Sequence, residues 1–258
     1  MVEFLHKKMT WEEFENFPRR IGWKHEYYGG SIHLSPSKTA IASLRLTTSP
    51  QSMPISPGLR PVSREDEPAL VALFEHCFRN AVEYASWPAR AFHEESRENI
   101  HLFFEESDRS YPGASLLLED EGQLIAAGLI RQISRGPILQ PIFVAPNRQR
   151  QGTGSGLLRT VVHRLHELGE TALFSRCHLG NPSSMAWHLK NGFQELPNLF
   201  VAQHRAYFYS AEAERFARSS DPAQSDEASR LADAWWKEAE RLQSMVGEAR
   251  DEVFGILD

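Results

Sequence analysis

The sequence predicts a mixed α/β fold in which helices cover both faces of a mostly antiparallel central sheet. Short apolar or alternating segments, typical of strands, alternate along the chain with segments whose apolar residues recur with a helical period. Two of the strand segments, 114–120 and 122–133, are joined by an acidic turn with Gly122, which is typical of an antiparallel hairpin. With 41% hydrophobic and 24% charged residues, the composition is that of a globular protein.

Two polar segments divide the chain. Residues 47–57 are rich in proline and serine and predict a linker, and 217–229 are polar without periodicity. We therefore expect an accessory helix and β-hairpin in 1–46, a central domain in 58–210, and a helical tail in 211–258.

Helix-terminus signals and the periodicity of apolar residues predict the helices and strands of the central domain. Ser63 with Asp66 three residues later predicts a capped helix start, and Gly169 predicts the end of a helix that has one apolar face. Pro141 lies inside a strand and predicts a bulge there. The expected order is strand 58–62, a helix from Ser63, a helix in 88–107, strands 114–120, 122–133 and 136–144, helix 155–168, strand 171–177, a helix from Asn181, and strand 199–210.

Charge and cysteine content exclude several classes of protein. A formal charge of −6 argues against a broad nucleic-acid surface, so no nucleic-acid partner is expected. No apolar run approaches the roughly 20 residues of a membrane span, so we expect no membrane association either. Cys77 and Cys177 have no metal-ligand or redox spacing and predict free thiols in a cytoplasmic protein without a metal site.

The segment "QRQGTGSG", residues 149–156, lies between a buried strand and an amphipathic helix. Backbone N–H groups at such a helix start attract anions, and glycine lets a phosphate approach the backbone closely. A P-loop requires a lysine that is absent here, and the strict alternation of Gly152, Gly154 and Gly156 does not fit a Rossmann fingerprint. The pattern predicts a phosphate site of another kind.

The spacing that fits is [Q/R]-x-x-G-x-[G/A] at 149–154, preceded by Val144 and Pro146. It resembles the acetyl-CoA pyrophosphate loop of the GNAT superfamily of N-acetyltransferases. The segment "NPSSMAWHLKNGF" resembles a second motif of that family, and "LRPVSREDEPAL" resembles its first strand and helix. The resemblance covers about 58–210.

The resemblance implies acetyl-CoA as cosubstrate, bound largely by backbone groups. Asn181 would contact the pantetheine arm or a bridging water, or would only cap its helix. Arg148 and Arg150 would add contacts to the phosphates or remain solvated. The cofactor-binding residues implied in this way are Ile142, Phe143, Val144, Gln149, Arg150, Gln151, Gly152, Thr153, Gly154 and Asn181.

The implied reaction is the attack of a primary amine, on a small molecule or a protein, on the acetyl thioester through a tetrahedral intermediate. A backbone N–H near Phe143 or Val144 would stabilise the oxyanion. The family's usual acid is a tyrosine, and His188 occupies that position here. With a pKa of about 6.5, a histidine is only partly protonated near neutrality. It would therefore act as the acid, contact the sulfur, or lie exposed on its helix. The general base stays open among Glu83, His76, His101, His178 and a water chain.

The two terminal segments do not belong to this pattern. The stretch 9–36 resembles the opening of a family of restriction-endonuclease-like proteins, but the acidic cluster that should follow is absent, so we expect a docking role. The tail predicts a helix that docks on its own chain or on the partner of a homodimer. Its apolar stripe consists of Leu231, Trp235, Leu242, Met245, Ala249 and Val253.

Three functions compete at this point. The first is an N-acetyltransferase, and the second is a non-catalytic acyl-CoA-binding sensor or scaffold. The third is a nucleic-acid-binding protein, against which the net negative charge argues.

Overall fold

The computed structural model describes residues 6–51, 57–105 and 111–246. The strands are β1 (His6–Lys8), β2 (Trp23–Tyr28), β3 (Ser31–Pro36), β4 (Ile41–Thr47), β5 (Leu59–Pro61), β6 (Leu116–Asp120), β7 (Gln123–Ile133), β8 (Gly136–Val144), β9 (Ala172–His178) and β10 (Gln194–Glu195). The helices are α1 (Trp11–Glu15), α2 (Glu67–Phe78), α3 (Ala89–Glu105), α4 (Thr153–Glu167), α5 (Pro182–Lys190), α6 (Leu199–Arg218) and α7 (Pro222–Met245).

The described chain divides into two compact units. The first unit comprises the described parts of Met1–Ser43, Cys177–Trp187 and Glu195–Ile256, and the second comprises those of Leu44–Arg176 and His188–Gln194. No helix in the described ranges combines the length and the apolar character that a bilayer crossing requires.

A seven-stranded sheet forms the framework of the second unit, in the order β10-β4-β9-β8-β7-β6-β5. The pairs β5–β6, β6–β7 and β7–β8 are antiparallel, whereas β8 and β9 are parallel. The predicted mixed, mostly antiparallel sheet is thereby confirmed. The predicted bulge is confirmed too, because the register of β7 and β8 shifts between Gly128 and Ile130, opposite Pro141.

Helices cover both faces of this sheet, as predicted. Ala127 and Leu129 of β7 belong to the core cluster that contains residues of α2 and α3. A methyl group on Gly128 would lie 3.6 Å from Leu157 Cδ2 of α4. Because successive side chains of a strand point to opposite faces, α4 covers the face opposite to α2 and α3.

The predicted capped helix start at Ser63 is confirmed. The capping box of Ser63 and Asp66 is present, with Ser63 N donating to Asp66 Oδ2 at 2.8 Å. Of the helix predicted in 88–107, the last two residues lie outside the described residues, as does the 52–56 stretch of the predicted linker.

The strand predicted over 199–210 is wrong, because this segment is the first part of helix α6. Asn198 caps the helix by accepting a hydrogen bond from Val201 N at 3.1 Å. Leu199, Ala202 and Ala206 are buried at helical spacing, and the first two pack against α7. Beside β9 in the sheet lies β4, which precedes the whole central domain.

The polar segment 217–229, which shows no periodicity in the sequence, is helical apart from a short turn. Helix α6 continues to Arg218, and α7 begins at Pro222 with Asp221 as its cap, which accepts from Gln224 N at 3.2 Å. An aspartate before a proline is a helix-start signal that polarity alone obscured.

The tail helix docks within its own chain, on α6 of the same unit. Trp235, Trp236 and Met245 pack against the cluster that contains Leu199 and Leu242. The stripe positions Ala249 and Val253 lie outside the described residues.

The amino-terminal helix and hairpin are confirmed as α1, β2 and β3. Strand β1 pairs with β3 and completes a three-stranded sheet in the first unit, in the order β1-β3-β2. Phe14, Ile32 and Leu34 form its small core.

Candidate active site

Strands β8 and β9 form a fork. They pair at Ile138 with Phe174 and at Leu139 with Ser175, and both strands continue beyond these pairs without pairing to each other. Residues 140–144 of β8 therefore have no strand beside them on the β9 side.

The backbone groups of β8 that face this gap can be read from its pairing with β7. Ala145 N donates to Ile125 O at 2.8 Å, and the register continues through Phe143 with Ala127. Because hydrogen-bonded residues alternate along an antiparallel pair, Phe143 bonds to β7. Ile142 and Val144 direct their backbone N–H and C=O groups to the other side, into the fork.

Val144 O accepts two hydrogen bonds from outside the sheet. Gln149 Nε2 lies 2.9 Å from it, and Cys77 Sγ of α2 lies 3.3 Å from it. Burial raises the pKa of the Cys77 thiol to about 12, so the thiol stays protonated and donates. No pattern in the sequence predicts the contact from Cys77, because the packing of α2 on β8 brings the two residues together.

The glycine loop leads from β8 into α4 and turns sharply. Arg150 has a φ of 61° and Gly152 a φ of 85°, and Gly152 is the N-cap of α4. No side chain caps this helix, and Gly156 N makes its first backbone bond, to Gly152 O at 2.8 Å. Within the described chain, the N–H groups of residues 150–155 have no protein acceptor.

This helix start is built to take an anion. Left-handed residues close together turn successive N–H groups towards one concavity, and the helix dipole adds a partial positive charge there. Side chains brace the loop from within, because Gln151 Nε2 donates to Asn147 O at 3.0 Å and Thr153 Oγ1 donates to Arg148 O at 3.2 Å.

The two arginines of the loop differ in whether their charge is already paired within the protein. The guanidinium of Arg148 forms an ion pair with Asp120 of β6, so a large part of its charge is already matched. Arg150 is exposed and has no ion-pair partner within the residues that the structure describes. Of the two, Arg150 is the one whose charge remains available to a phosphate.

His188 of α5 is placed at the fork. Its Nε2 lies 2.9 Å from Oγ of Ser175, the residue of the last β8–β9 pair. The ring packs edge-on against Phe193 at 5.0 Å, and the side chain is only 3% exposed. The alternative of an exposed helix histidine is therefore wrong.

Asn181 caps its helix, which is one of the two roles that the sequence left open for it. Its Oδ1 accepts from Ser184 N at 3.1 Å. This residue belongs to the first unit, whereas the loop, β8 and His188 belong to the second. A contact of Asn181 with a pantetheine arm stays a prediction.

The four candidate bases occupy different surroundings. His178 is buried in the first unit, where its ring bonds to Ser37 O and Gly180 N at 3.0 and 2.9 Å. His101 pairs with Glu67 at 3.0 Å, and His76 is exposed on α2. Glu83 is the candidate that lies in the turn after α2, next to aromatic residues that pack towards Phe143.

Residues 69–193 match the model of the acetyltransferase (GNAT) family. The structure is similar to PaiA N-acetyltransferase from Thermoplasma acidophilum in complex with coenzyme A, at 18% identity over 53% of this chain and 88% of that chain, with a TM-score of 0.45. It is also similar to a GNAT family acetyltransferase from Brucella melitensis in complex with acetyl-CoA (21% identity, 43% and 70% coverage, TM-score 0.35). A third similar structure is aminoglycoside 6'-N-acetyltransferase AAC(6')-Ig from Acinetobacter haemolyticus (21% identity, 53% and 90% coverage, TM-score 0.40). No curated protein matches the sequence.

The matched range 69–193 lies within the predicted domain 58–210. The strand fork of β8 and β9 and the uncapped start of α4 both lie within this matched range. The family match does not extend to the amino-terminal segment, whose resemblance to restriction-endonuclease-like proteins stays a prediction.

Proposed function

We propose that this chain is an N-acetyltransferase that transfers the acetyl group of acetyl-CoA to a primary amine. The observation that carries the proposal is the fork of β8 and β9 next to the uncapped start of α4. The fork offers backbone groups of β8 that no neighbouring strand uses, and these could bind an amide-containing arm. The start of α4 offers N–H groups without a protein acceptor, and these could bind a pyrophosphate.

The residues present fit acetyl-CoA. The N–H and C=O groups of Ile142 would bind the pantetheine amides as a neighbouring strand does. Val144 O, in contrast, is already used by Gln149 and Cys77.

The N–H groups from Arg150 to Gly154 would hold the pyrophosphate, with the Arg150 guanidinium adding a charge-assisted contact. The N–H of Gln149 is not among them, because it donates to Pro146 O at 3.4 Å. The bound acetyl-CoA supplies an acetyl group activated as a thioester.

Val144 N–H is the donor that we assign to the oxyanion. It points into the fork, whereas the N–H of Phe143 is used in the β7 ladder. The contacts of Gln149 and Cys77 with Val144 O fix the same peptide segment in place. A donor held in advance stabilises developing charge without reorganisation.

His188 is the residue that we assign to the departing thiolate. Its bond to Ser175 holds the imidazole at the fork, where the thioester sulfur would lie. In this role it would donate a hydrogen bond or a proton to the sulfur as the tetrahedral intermediate collapses.

The first test of this function is direct. Acetyl-CoA should raise the melting temperature of the protein, and free CoA should be released only when an amine acceptor is added. Stabilisation without turnover over a broad amine panel would instead support the acyl-CoA sensor or scaffold. No stabilisation by CoA or acetyl-CoA would overturn both.

The second test places a charge at the anion site. Ser155 lies in the first turn of α4, so Ser155→Glu should leave the free protein at least as stable, because a carboxylate there favours the helix dipole. The same charge should repel the pyrophosphate and weaken acetyl-CoA binding about tenfold or more. Ser155→Gln is the matched neutral control and should weaken it far less. Equal affinities of the two variants would contradict a pyrophosphate at this position.

A further inference from the structure

Four aromatic rings form a continuous wall from β8 to the protein surface. Phe143 packs against Phe78 at 6.1 Å between ring centroids, Phe78 against Tyr84 at 6.2 Å, and Tyr84 against Trp87 at 5.6 Å. We call these residues the aromatic wall. It starts beside Val144 and ends at Trp87, whose side chain is 40% exposed.

Two carboxylates accompany this wall. Glu83 precedes Tyr84 in the turn after α2. Glu95 lies on α3 three residues after Phe92, on the same helix face, and Phe92 packs on Tyr84 at 4.9 Å. Burial raises the pKa of Tyr84 to about 12, and the negative charges of Glu95 and Glu83 add to this rise, so both charges are felt at the phenol.

The negative charge of Glu95 is not matched by a cation of the protein. Its Oε1 accepts a hydrogen bond from Asn99 Nδ2 at 3.0 Å, but among the described residues Glu95 forms no ion pair. Its neighbour Glu94 is different, because Glu94 pairs with Arg90 at 2.8 Å.

The rings of the wall also lack a cation from the protein. In the described ranges, no arginine or lysine covers Tyr84 or Trp87, whereas Arg205 of the first unit lies 4.5 Å from the centroid of Trp235. Electron-rich ring faces next to carboxylates attract an ammonium group strongly.

The chemistry of transfer decides which ammonium this is. The nitrogen that attacks the thioester must be neutral, so it gains nothing from a site for cations. A second positive group on the same acceptor would be stabilised by such a site. An acceptor with a carboxylate beside its amine would be repelled by Glu83 and Glu95.

We propose that the acceptor is an amine that carries a second ammonium group, and that the aromatic wall and Glu95 bind this second group. The inference rests on the proposed transferase activity and adds the class of its acceptor. It makes Trp87 and Glu95 determinants of specificity that touch the acceptor away from the reacting nitrogen.

The test compares two acceptors of equal chain length, 1,4-diaminobutane and butylamine, by release of CoA. The wild-type protein should show at least a tenfold higher kcat/KM for the diamine. Glu95→Gln should lower kcat/KM for the diamine about 3- to 10-fold, mainly by raising KM, and should leave butylamine unchanged. Glu94→Gln is the matched control, since Glu94 is already paired with Arg90, and it should change neither.

The wall is tested by a pair of substitutions at Trp87. Trp87→Phe keeps an aromatic face and should retain most of the preference for the diamine. Trp87→Leu keeps apolar bulk without that face and should lose about 3- to 10-fold of it. The diamine should also raise the melting temperature of the CoA-saturated wild-type protein, which needs no turnover, and Glu95→Gln should reduce this shift.

The outcomes separate the two proposals. Stabilisation by acetyl-CoA with equal kcat/KM for both amines, or an equal effect of Glu95→Gln on both, overturns the acceptor class and leaves the transferase intact. A CoA-saturated protein that the diamine does not stabilise also counts against the acceptor class. Absence of any response to acetyl-CoA overturns the transferase itself.

Discussion

Gln149 Nε2 donates a hydrogen bond of 2.9 Å to Val144 O, and so the first residue of the phosphate loop is tied to the last residue of β8. The bond links the two halves of the proposed acetyl-CoA site, the strand β8 and the loop that leads into α4. A change in one half is therefore felt in the other.

Gln149→Leu removes this link and keeps the side-chain bulk. We expect a loss of about 1 kcal/mol in the free energy of unfolding. We also expect a rise in KM for acetyl-CoA of about 5- to 10-fold, because the loop is no longer held against β8. Steady-state kinetics and denaturant unfolding measure the two effects. Gln151→Leu, which removes the bond to Asn147 O within the loop, should raise KM less. A larger effect at residue 151 would contradict the role assigned to the link.

Arg150→Gln removes the exposed, unpaired charge of the loop. The dissociation constant for CoA should rise about 3- to 15-fold, and the salt dependence of binding should become weaker, while stability changes little. Isothermal titration at two salt concentrations measures both quantities. Arg159→Gln removes an exposed charge from α4 beyond its first turn and serves as the control. The assignment is wrong when both variants weaken binding equally.

His188→Ala removes a buried side chain and leaves the hydroxyl of Ser175 without this partner. The cost in unfolding free energy should be about 2–4 kcal/mol, measured by urea denaturation. A role at the thiolate requires more than this loss. It requires that kcat fall at least tenfold in the folded variant and that the pH dependence of kcat change between pH 6 and 9.

Ser175→Ala separates the two effects at His188. It breaks the same hydrogen bond but keeps the imidazole. A lower stability with a nearly unchanged kcat is expected when the imidazole itself serves the reaction. Equal losses of kcat in both variants would assign His188 to positioning alone.

His25 makes the first unit sensitive to acid. Its Nε2 accepts from Arg20 N at 3.1 Å and its Nδ1 donates to Trp23 O at 3.2 Å, an arrangement that only the neutral ring satisfies. Burial, together with the nearby charge of Arg19, lowers the pKa of His25 from 6.5 to about 4. The unfolded chain therefore binds the proton more readily than the folded chain does.

Stability should accordingly fall as the pH drops from about 6.5 to about 4, by up to about 3 kcal/mol from this group. Melting temperatures across this range measure the effect. His25→Gln keeps an acceptor and a donor without a titratable ring, so its pH profile should be flatter than that of the wild type. His166→Gln alters an exposed histidine at the end of α4 and should leave the profile as it is.

The sequence predicted the local features of the site well. Short-range patterns predicted three of these features. The spacing of apolar residues predicted helix α4, the alternation of glycines predicted the loop before it, and the absence of a backbone N–H in Pro141 predicted the bulge. The burial of His188 against Ser175 was not predictable, because the two residues meet only through the packing of α5 on β9.

The errors concern long-range pairing. The aromatic-rich segment 199–210 suits a strand by propensity, but the cap at Asn198 and its packing on α7 make it a helix. Strand β4 lies next to the proline-rich segment and looked like the end of an appendage. Its place in the sheet depends on β9, which lies far away in the sequence, and no local pattern reveals such a partner.

The position of β4 also sets an order of events during synthesis. Thr48 Oγ1, just after β4, bonds to Glu170 O, just before β9, across 122 residues of sequence. A ribosome that adds about 5–20 residues per second needs on the order of 6–24 s to bridge that distance. For this interval the apolar residues of β4, such as Leu44, are outside the ribosome without their partner strand. Nascent chains stalled before β9 should therefore bind chaperones that recognise extended apolar segments, and release from them should follow the emergence of β9.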